Sequence, residues 1–580
     1  MNAERLLAQF ERISEAPDAI ARLRRFILDL AVRGKLVEQD PEDEPAEELL
    51  GRILELKIRS AGKLPKSDLQ LIDRLFNDEP FALPDSWTWV VLGQITDLIT
   101  SGSRDWAKHY SDSGAIFVRM GNLVKGDYRL RLDSIQHVSP PAGGEGTRTR
   151  LDAWDVLVSI TGDVGMLGLI PEGFGEAYIN QHTALARPCF LLKGRYLPEF
   201  LRSDFAQNQF QEPQRGIKNS FRLSDLSAIV VPLPPLAEQH RIVAKVDELM
   251  ALCDQLEAAR QERQECRERL VAATLQRLNQ PAEDPASFRQ VASFALEVLP
   301  NLTTTSAQIK QLRQTILNLA VRGKLVEQDP EDEPAVDLIR KISEEKPALL
   351  AKGGFRSFDG KLNRDGCAFI FGIPSTWEWC FLDDISAIGR GGSPRPIQAF
   401  ITDSQESMPW IKISDSSRGS VYINNTQERI TLAGVSRSRI VVPGDLLLSN
   451  SMSFGFPYIS MIEGCIHDGW LVIRTPEGLI NKLYLRLLLL SDHARAAFAI
   501  AASGAVVQNL NADKVRQLAI PLPPLAEQHR IVAKVDELMV LCDQLEQQLN
   551  QADQQRRRLL EAVLAEALLG PEKTLEAAYA

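Results

Sequence analysis

Two stretches of this 580-residue chain occur twice, letter for letter, at a constant offset of 289 residues. Leu30–Ala46 reads LAVRGKLVEQDPEDEPA and returns as Leu319–Ala335. Pro232–Met250 reads PLPPLAEQHRIVAKVDELM and returns as Pro521–Met539. Half of 580 is 290, so the chain is two tandem copies of one unit, and such a period has to be read before any local signal. Between the repeated blocks the copies diverge almost completely. A merely recent duplication would leave the middles as alike as the ends. The ends are therefore held to one shared job, and the middles to two different ones.

Each half runs in the same order. A helical opening comes first: Ile20, Leu23, Ile27, Leu30 and Ala31 fall at helical spacing, as do Ile309, Leu312, Ile316, Leu319 and Ala320. Gly34 and Gly323 are positioned to end these helices. An acidic loop, EQDPEDEP, follows, and then a short helix is expected over Ala46–Ile58 and Ala335–Ile342. A variable region begins at Leu83-Pro-Asp-Ser-Trp-Thr-Trp89 in one copy and Ile373-Pro-Ser-Thr-Trp-Glu-Trp379 in the other. Inside it, short runs rich in Val, Ile and Phe alternate with Gly and Ser, a pattern of strands and turns.

Each variable region ends at PLPPLAEQHR, where prolines give way to a long helix. Ile242, Val246, Leu249, Cys253 and Leu256 step by four and three, as do Ile531, Val535, Leu538, Cys542, Leu545 and Leu549. That is heptad spacing, the mark of helices packed side by side. Second apolar clusters at Leu270–Leu275 and Leu559–Leu564 extend each helix to about 40 residues, a rod of roughly 60 Å. A rod that long with so little core of its own is expected to pair with its twin. The repeat-equivalent Cys253 and Cys542 lie in the apolar stripes and read as core residues.

The net charge of −11 does not point to nucleic acid, but its distribution matters more. Pro80–Val230 holds 15 Lys/Arg against 16 Asp/Glu, and Phe369–Ile520 holds 13 against 13, so the middles are nearly neutral and the ends carry the acid. Seven cysteines without a C-x-x-C pair suggest neither a disulfide framework nor a zinc site. No apolar run reaches about 18 residues and the start lacks a signal-peptide pattern, which fits a cytoplasmic protein.

Catalytic motifs do not emerge. There is no GxxxxGK[ST], no strand-to-helix GxGxxG, no HExxH and no Cys/His cluster. His240 and His529, twins at the heads of the long helices, suit a cap or contact role. Glu55-x-Lys57 and Glu344-x-Lys346, downstream of Asp43 and Asp332, imitate a Mg²⁺-nuclease signature, but AEELLGRILELKIRS reads as a helix and these as its surface charges. Polar groups suited to base edges and phosphates stand at strand ends and loops instead. They occur in Ile116–Asn122 and Trp410–Asp415, in Trp154–Gly162 and Pro443–Ser451, and in Arg215–Ser220 and Ser503–Asn509.

These elements together resemble the specificity subunits of type I restriction–modification systems. The resemblance is carried by PLPPLAEQHRIVAKVDELM at each long helix, the Pro-x-x-Trp-x-Trp motif, and Gly-Asp-Leu-Leu-Leu-Ser, which becomes Ala153-Trp-Asp-Val-Leu-Val-Ser159 in the first copy. It spans essentially the whole chain. It implies an α+β fold with a pseudo-twofold internal repeat: two α/β target-recognition domains separated by two long antiparallel, coiled-coil-like helices. The domains expected are an N-terminal helical segment (1–79), a first target-recognition domain (80–231), a central conserved region (232–368), a second target-recognition domain (369–520) and a C-terminal spacer helix (521–580).

The family further implies a non-catalytic chain that reads a bipartite site in double-stranded DNA. Two methyltransferase subunits would dock on its repeated helices and restriction/translocase subunits would join them. AdoMet, ATP and Mg²⁺ would serve those partners, with no cofactor or metal on this chain. Motif position and residue type nominate Arg104, Lys108, Arg119, Asn122, Lys125, Arg215, Lys218 and Asn219 for DNA contact in the first domain. In the second they nominate Arg390, Ser393, Arg395, Lys412, Asn450, Gln508 and Asn509. The competing readings are a coiled-coil adaptor whose variable domains bind proteins, and a nuclease using the Glu-x-Lys pair.

Overall fold

A computed structural model describes residues 15–61, 80–104, 106–140, 146–211, 220–280, 285–360, 371–404, 406–417, 419–450, 454–502 and 510–569. The chain forms two compact units. One comprises the described residues up to Glu262 and those from Asp553 onward; the other is Arg263–Ala552.

In the first unit the opening helix Ala19–Val32 stops where Gly34 turns left-handed at φ +64°. A Cβ there would lie 2.4 Å from the Pro84 ring, so glycine also lets the next segment pack close. In the second unit Ser306–Ala320 ends the same way at Gly323, φ +66°, against Pro374. The helices after the acidic loops run Ala46–Ala61 and Ala335–Gly353, longer than their apolar spacing suggests.

Each variable region is closed at a neck. Thr88–Val91 pairs antiparallel with Val230–Leu233, placing Trp89 opposite Pro232. Glu378–Phe381 pairs with Ala519–Leu522, placing Trp379 opposite Pro521. Beyond each neck lie two sheets that share a common central strand arrangement and differ at their edges. In the first, Thr96–Ser101, Thr183–Pro188, Val156–Ser159 and Leu167–Leu169 follow one another across an antiparallel sheet. Their counterparts are Ala387–Arg390, Trp470–Arg474, Leu446–Ser449 and Pro457–Ser460, with Tyr422–Ile423 added at the edge. The other sheet is built on a parallel pair: Ala115–Val118 beside Ala177–Ile179, and Met408–Ile411 beside Gly464–Ile466.

Val156–Ser159 and Leu446–Ser449 are buried along their whole length, which is why they read as unbroken apolar runs. The aspartate that precedes each run is structural: Arg187 grips Asp155 at 2.8 Å and Arg474 grips Asp445 from Nε at 2.7 Å. Trp154 takes a left-handed φ of +74°, where the second copy has Gly444 at +90°. Two helices then complete each region, Tyr196–Arg202 with Asp204–Gln211, and Lys482–Leu490 with Asp492–Ala502.

The long helices are Leu236–Asn279, 44 residues, and Leu525–Leu569, 45 residues. At 1.5 Å per residue each is roughly 66 Å long. Each unit holds the head of one and the tail of the other. In the first unit the opening helix shows their directions. Arg260 reaches the Ala16 carbonyl at 2.7 Å, Arg24 pairs with Asp254 at 2.6 Å, and Gln39 meets Glu238 at 2.7 Å, so the head descends. Leu560 packs on Ala16 and Ala19, Arg22 pairs with Glu561 at 2.9 Å, and Lys35 donates to the Leu568 carbonyl at 2.6 Å, so the tail ascends. Head and tail are therefore antiparallel. The second unit repeats this: Arg313 pairs with Glu546 and Gln328 with Glu527, while Thr315 meets Asn279 and Lys324 meets the Gln280 carbonyl. Cys253 and Cys542 sit in the cores of these bundles. A further helix, Pro285–Leu302, lays Ala295 and Leu299 on Val271, Leu275 and Leu278.

One joint differs between the halves. Asn318 donates through Nδ2 to Asp492 at 2.7 Å and accepts from the Asp492 N–H at 3.1 Å. In the first half Asp29 stands in its place and faces Asp204. Burial, then the Asp204 charge, pushes the Asp29 carboxyl up to about 6, against the weaker pull of Arg33 and Arg25. A carboxyl raised in the fold adds stability only while protonated; that stability is present below about pH 4 and lost as pH rises through about 6. Asp29→Asn mimics the protonated state. It should stabilise the chain by about 1–2 kcal/mol above pH 7 and by almost nothing near pH 4. Unfolding midpoints measured at both pH values check this; an equal gain at the two would refute it.

Candidate nucleic-acid interface

The repeated blocks form the same clasp at each neck. Glu238 is fully buried and accepts from the Trp87 indole at 2.9 Å and from the Gln39 amide at 2.7 Å, while Arg241 holds Asp43 at 2.6 Å. Glu527 accepts from Trp377 at 2.9 Å and Gln328 at 2.7 Å, and Arg530 holds Asp332 at 2.6 Å. Burial raises both glutamates and these donors pull them back. Tyr196 and Tyr484 donate to the Pro232 and Pro521 carbonyls. The clasp binds one acidic loop, one neck and one long-helix head into a frame, so the variable regions project from equivalent mounts.

On those mounts the sequence-nominated residues fall into groups. Arg119 and Lys412 occupy equivalent places, each ending the strand of the parallel pair and opening a short turn. Asn122 Oδ1 accepts from the Arg119 N–H at 2.9 Å, and Asp415 accepts from the Lys412 N–H at 2.7 Å. Asn122 is only 6% exposed, and its Nδ2 donates to the Arg131 and Ser134 carbonyls at 2.8 and 3.2 Å. Its amide is committed to the protein's own backbone, so in this conformation it shapes the turn and does not face outward, unlike its nomination. Lys412 pairs with Glu428. Arg104, Lys108 and Lys125 are exposed; Lys108 rides on a turn anchored by buried Trp106 between Phe117 and Tyr178.

Four nominees of the second region converge on one turn, His467–Gly469. Ser393 Oγ donates to Asp468 Oδ1 at 2.7 Å, Arg390 Nε to the Asp468 carbonyl at 3.2 Å, and Asn450 Nδ2 to the same carbonyl at 2.9 Å. Arg395, 85% exposed at its side chain, lies 3.8 Å from Asp468 Oδ2. Asn450 is buried, so it too works as a brace. The Ser393 hydroxyl holds the Asp468 carboxyl below its ordinary value despite partial burial, with help from His467 and Arg390. Arg215, Lys218, Asn219, Gln508 and Asn509 lie outside the described residues.

The lysines of the Glu-x-Lys pairs have structural contacts. Lys57 donates to the Gly93 carbonyl at 2.6 Å, and Lys346 to Asp383 at 2.8 Å, each from a helix. Among the described residues no group of His, Cys, Asp and Glu has the arrangement of a metal site. His529 meets Asn481 Nδ2 at 2.9 Å, a contact role. Among the same residues no helix is long and apolar enough to cross a membrane.

Residues 84–265 and 374–552 match the family described as the type I restriction modification DNA specificity domain. The chain is 29% identical over 599 residues to the type I restriction enzyme EcoEI specificity subunit of Escherichia coli, covering 95% of this chain and 94% of that one. It is 26% identical over 573 residues to the EcoAI specificity subunit of the same species, with the same coverage. Among solved structures it is similar to the HsdS subunit from Thermoanaerobacter tengcongensis, at 19% identity and a TM-score of 0.45, over 85% of this chain and 99% of that one. With two copies of the specificity domain spanning more than half of its length, each mounted on a repeated clasp, the chain belongs to the family of type I restriction–modification specificity subunits.

Proposed function

We propose that this chain is the DNA-recognition subunit of a type I restriction–modification enzyme, and that each variable domain reads one half of a bipartite site. The observation that carries this reading is the pairing of a common central strand arrangement with unlike polar tips on equivalent necks. Identical mounts with different tips suit one mechanical task and two different target sequences. The repeated frames dock two copies of a methyltransferase subunit, because equal surfaces select equal partners. Translocating nuclease subunits join that core. The chain itself performs no bond chemistry; AdoMet, ATP and Mg²⁺ work on the partners. Arg104, Lys108, Arg119, Lys125, Arg390, Arg395 and Lys412 supply the cations that offset phosphate charge, with Arg215, Lys218, Asn219, Gln508 and Asn509 completing the set. Asn122, Asn450 and Ser393 brace them.

Selection from a randomised duplex library by the chain assembled with its methyltransferase partner tests this. The expected product is two short motifs at a fixed spacing. An adaptor whose variable domains bind proteins would return no motif.

A further inference from the structure

In each reader one short turn joins the parallel strand of one sheet to a central strand of the other. Asn180–His182 lies between Ala177–Ile179 and Thr183–Pro188; His467–Gly469 lies between Gly464–Ile466 and Trp470–Arg474. The backbone of this turn is fixed the same way twice. Gly102 and Gly391, 289 residues apart, approach it so closely that a Cβ would lie 2.0 Å from the Ile179 carbonyl oxygen and 2.1 Å from that of His467. The N–H of Ile160 donates to the His182 carbonyl at 3.0 Å, and that of Asn450 to the Gly469 carbonyl at 2.9 Å. The side chains on this common backbone are unlike: Asn-Gln-His in one reader, His-Asp-Gly in the other.

We propose that this turn is a base-reading element of both readers, with Gln181, oriented by His182, reading the first half-site and Asp468 the second. The assignment rests on the proposal that the variable domains bind DNA. A turn of constant backbone and variable polar side chains is what two readers of different sequences require. In the first, the His182 ring is held at both nitrogens, by Thr161 Oγ1 at 2.8 Å and Gln181 Nε2 at 2.9 Å, so the imidazole fixes the neighbouring Gln181 amide in one orientation. In the second, Asp468 is a half-exposed carboxylate among arginines, on a surface taken to meet a polyanion. Phosphates repel such a group. Its complement in a groove is an exocyclic amine, from cytosine N4 or adenine N6, which a carboxylate accepts. Arg390 and Arg395 lower the repulsion during approach.

The same library selection, run on the assembled complex, decides the matter. Gln181→Ala with His182→Ala should relax one or two positions of one half-site by about 5- to 100-fold and leave the other half-site unchanged. Asp468→Ala, and Asp468→Asn at constant size, should relax only the other half-site. The bonds from Arg390 and Asn450 end on the Asp468 backbone carbonyl, so both variants keep the turn in place. Unchanged motifs in all variants overturn the assignment, as does a uniform loss of binding at both half-sites, which a structural role would give. A wild-type complex that selects no motif overturns the underlying DNA reading instead.

Discussion

Replacing Glu238 with alanine is expected to loosen the first neck by about 3 kcal/mol, and Glu527→Ala to do the same at the second. Each carboxylate is fully buried and accepts two hydrogen bonds, from an indole and a primary amide. Charge-assisted bonds of this kind contribute about 1.5–3 kcal/mol apiece, and their loss leaves a buried indole N–H, that of Trp87 or Trp377, without an acceptor. Working against this is the cost of burying the carboxylate, seen in the raised pKa of both glutamates. Burial is the stronger influence on ionisation, with the donors and Arg241 or Arg530 pulling back only in part, so the expected loss comes from what the missing carboxylate leaves unpaired and unfilled. Glu238→Gln should fall between, because it keeps one acceptor but turns an NH₂ toward a donor. Hydrogen exchange across Thr88–Val91 and Val230–Leu233 is the local readout. Protection unchanged in Glu238→Ala would show that the strand pair, and not the clasp, holds the neck.

A larger effect is expected on target choice. Replacing residues 80–231 with residues 369–520 places the second reader on both mounts. The incoming Trp377 finds Glu238 where it had Glu527, and the incoming exit strand leads into an identical long-helix head. The exchanged chain should therefore select two copies of a single motif. Preference for the lost half-site should fall by about 100-fold or more, since each base pair read carries about 1–3 kcal/mol. Selection on the randomised library reports this directly. Persistence of the original first motif would mean that the frame, not the reader, carries the sequence preference.

The frame was legible because its signals are local and doubled. Heptad apolar spacing, the glycines at 34 and 323, and the proline-to-helix switch each follow from backbone chemistry that needs no distant partner, and all recur at one offset. The helical setting of Glu55-x-Lys57 could be read from its apolar spacing alone. The readers were less legible. Asn122 and Asn450 carry side chains apt for base edges, but their carbonyl partners lie at positions no spacing rule connects to them, so type pointed outward where packing turned them inward. The turns at 180–182 and 467–469 are short and dissimilar, and only the glycine pair Gly102/Gly391 could have marked them. Pro285–Leu302 is harder to read from sequence, because its apolar residues are spaced for one face but its interior Pro300 argues against a helix. Trp154 shows the reverse case: its left-handed backbone is betrayed only by the glycine in the twin position.

The exchange of long-helix tails between the two units has a genetic counterpart. A protein that lends one helix end to a neighbour and borrows the equivalent end in return has the topology of a domain-swapped homodimer. The segment running from Asn279 through Pro285–Leu302 to Ser306 turns that swap into an internal one. Association then no longer depends on how many molecules are present, because the tether sets the local concentration. It also lifts a constraint that binds every homodimer: two halves encoded in one reading frame can mutate separately. A symmetric dimer reads only a palindrome, whereas a fused one is free to read two unrelated words.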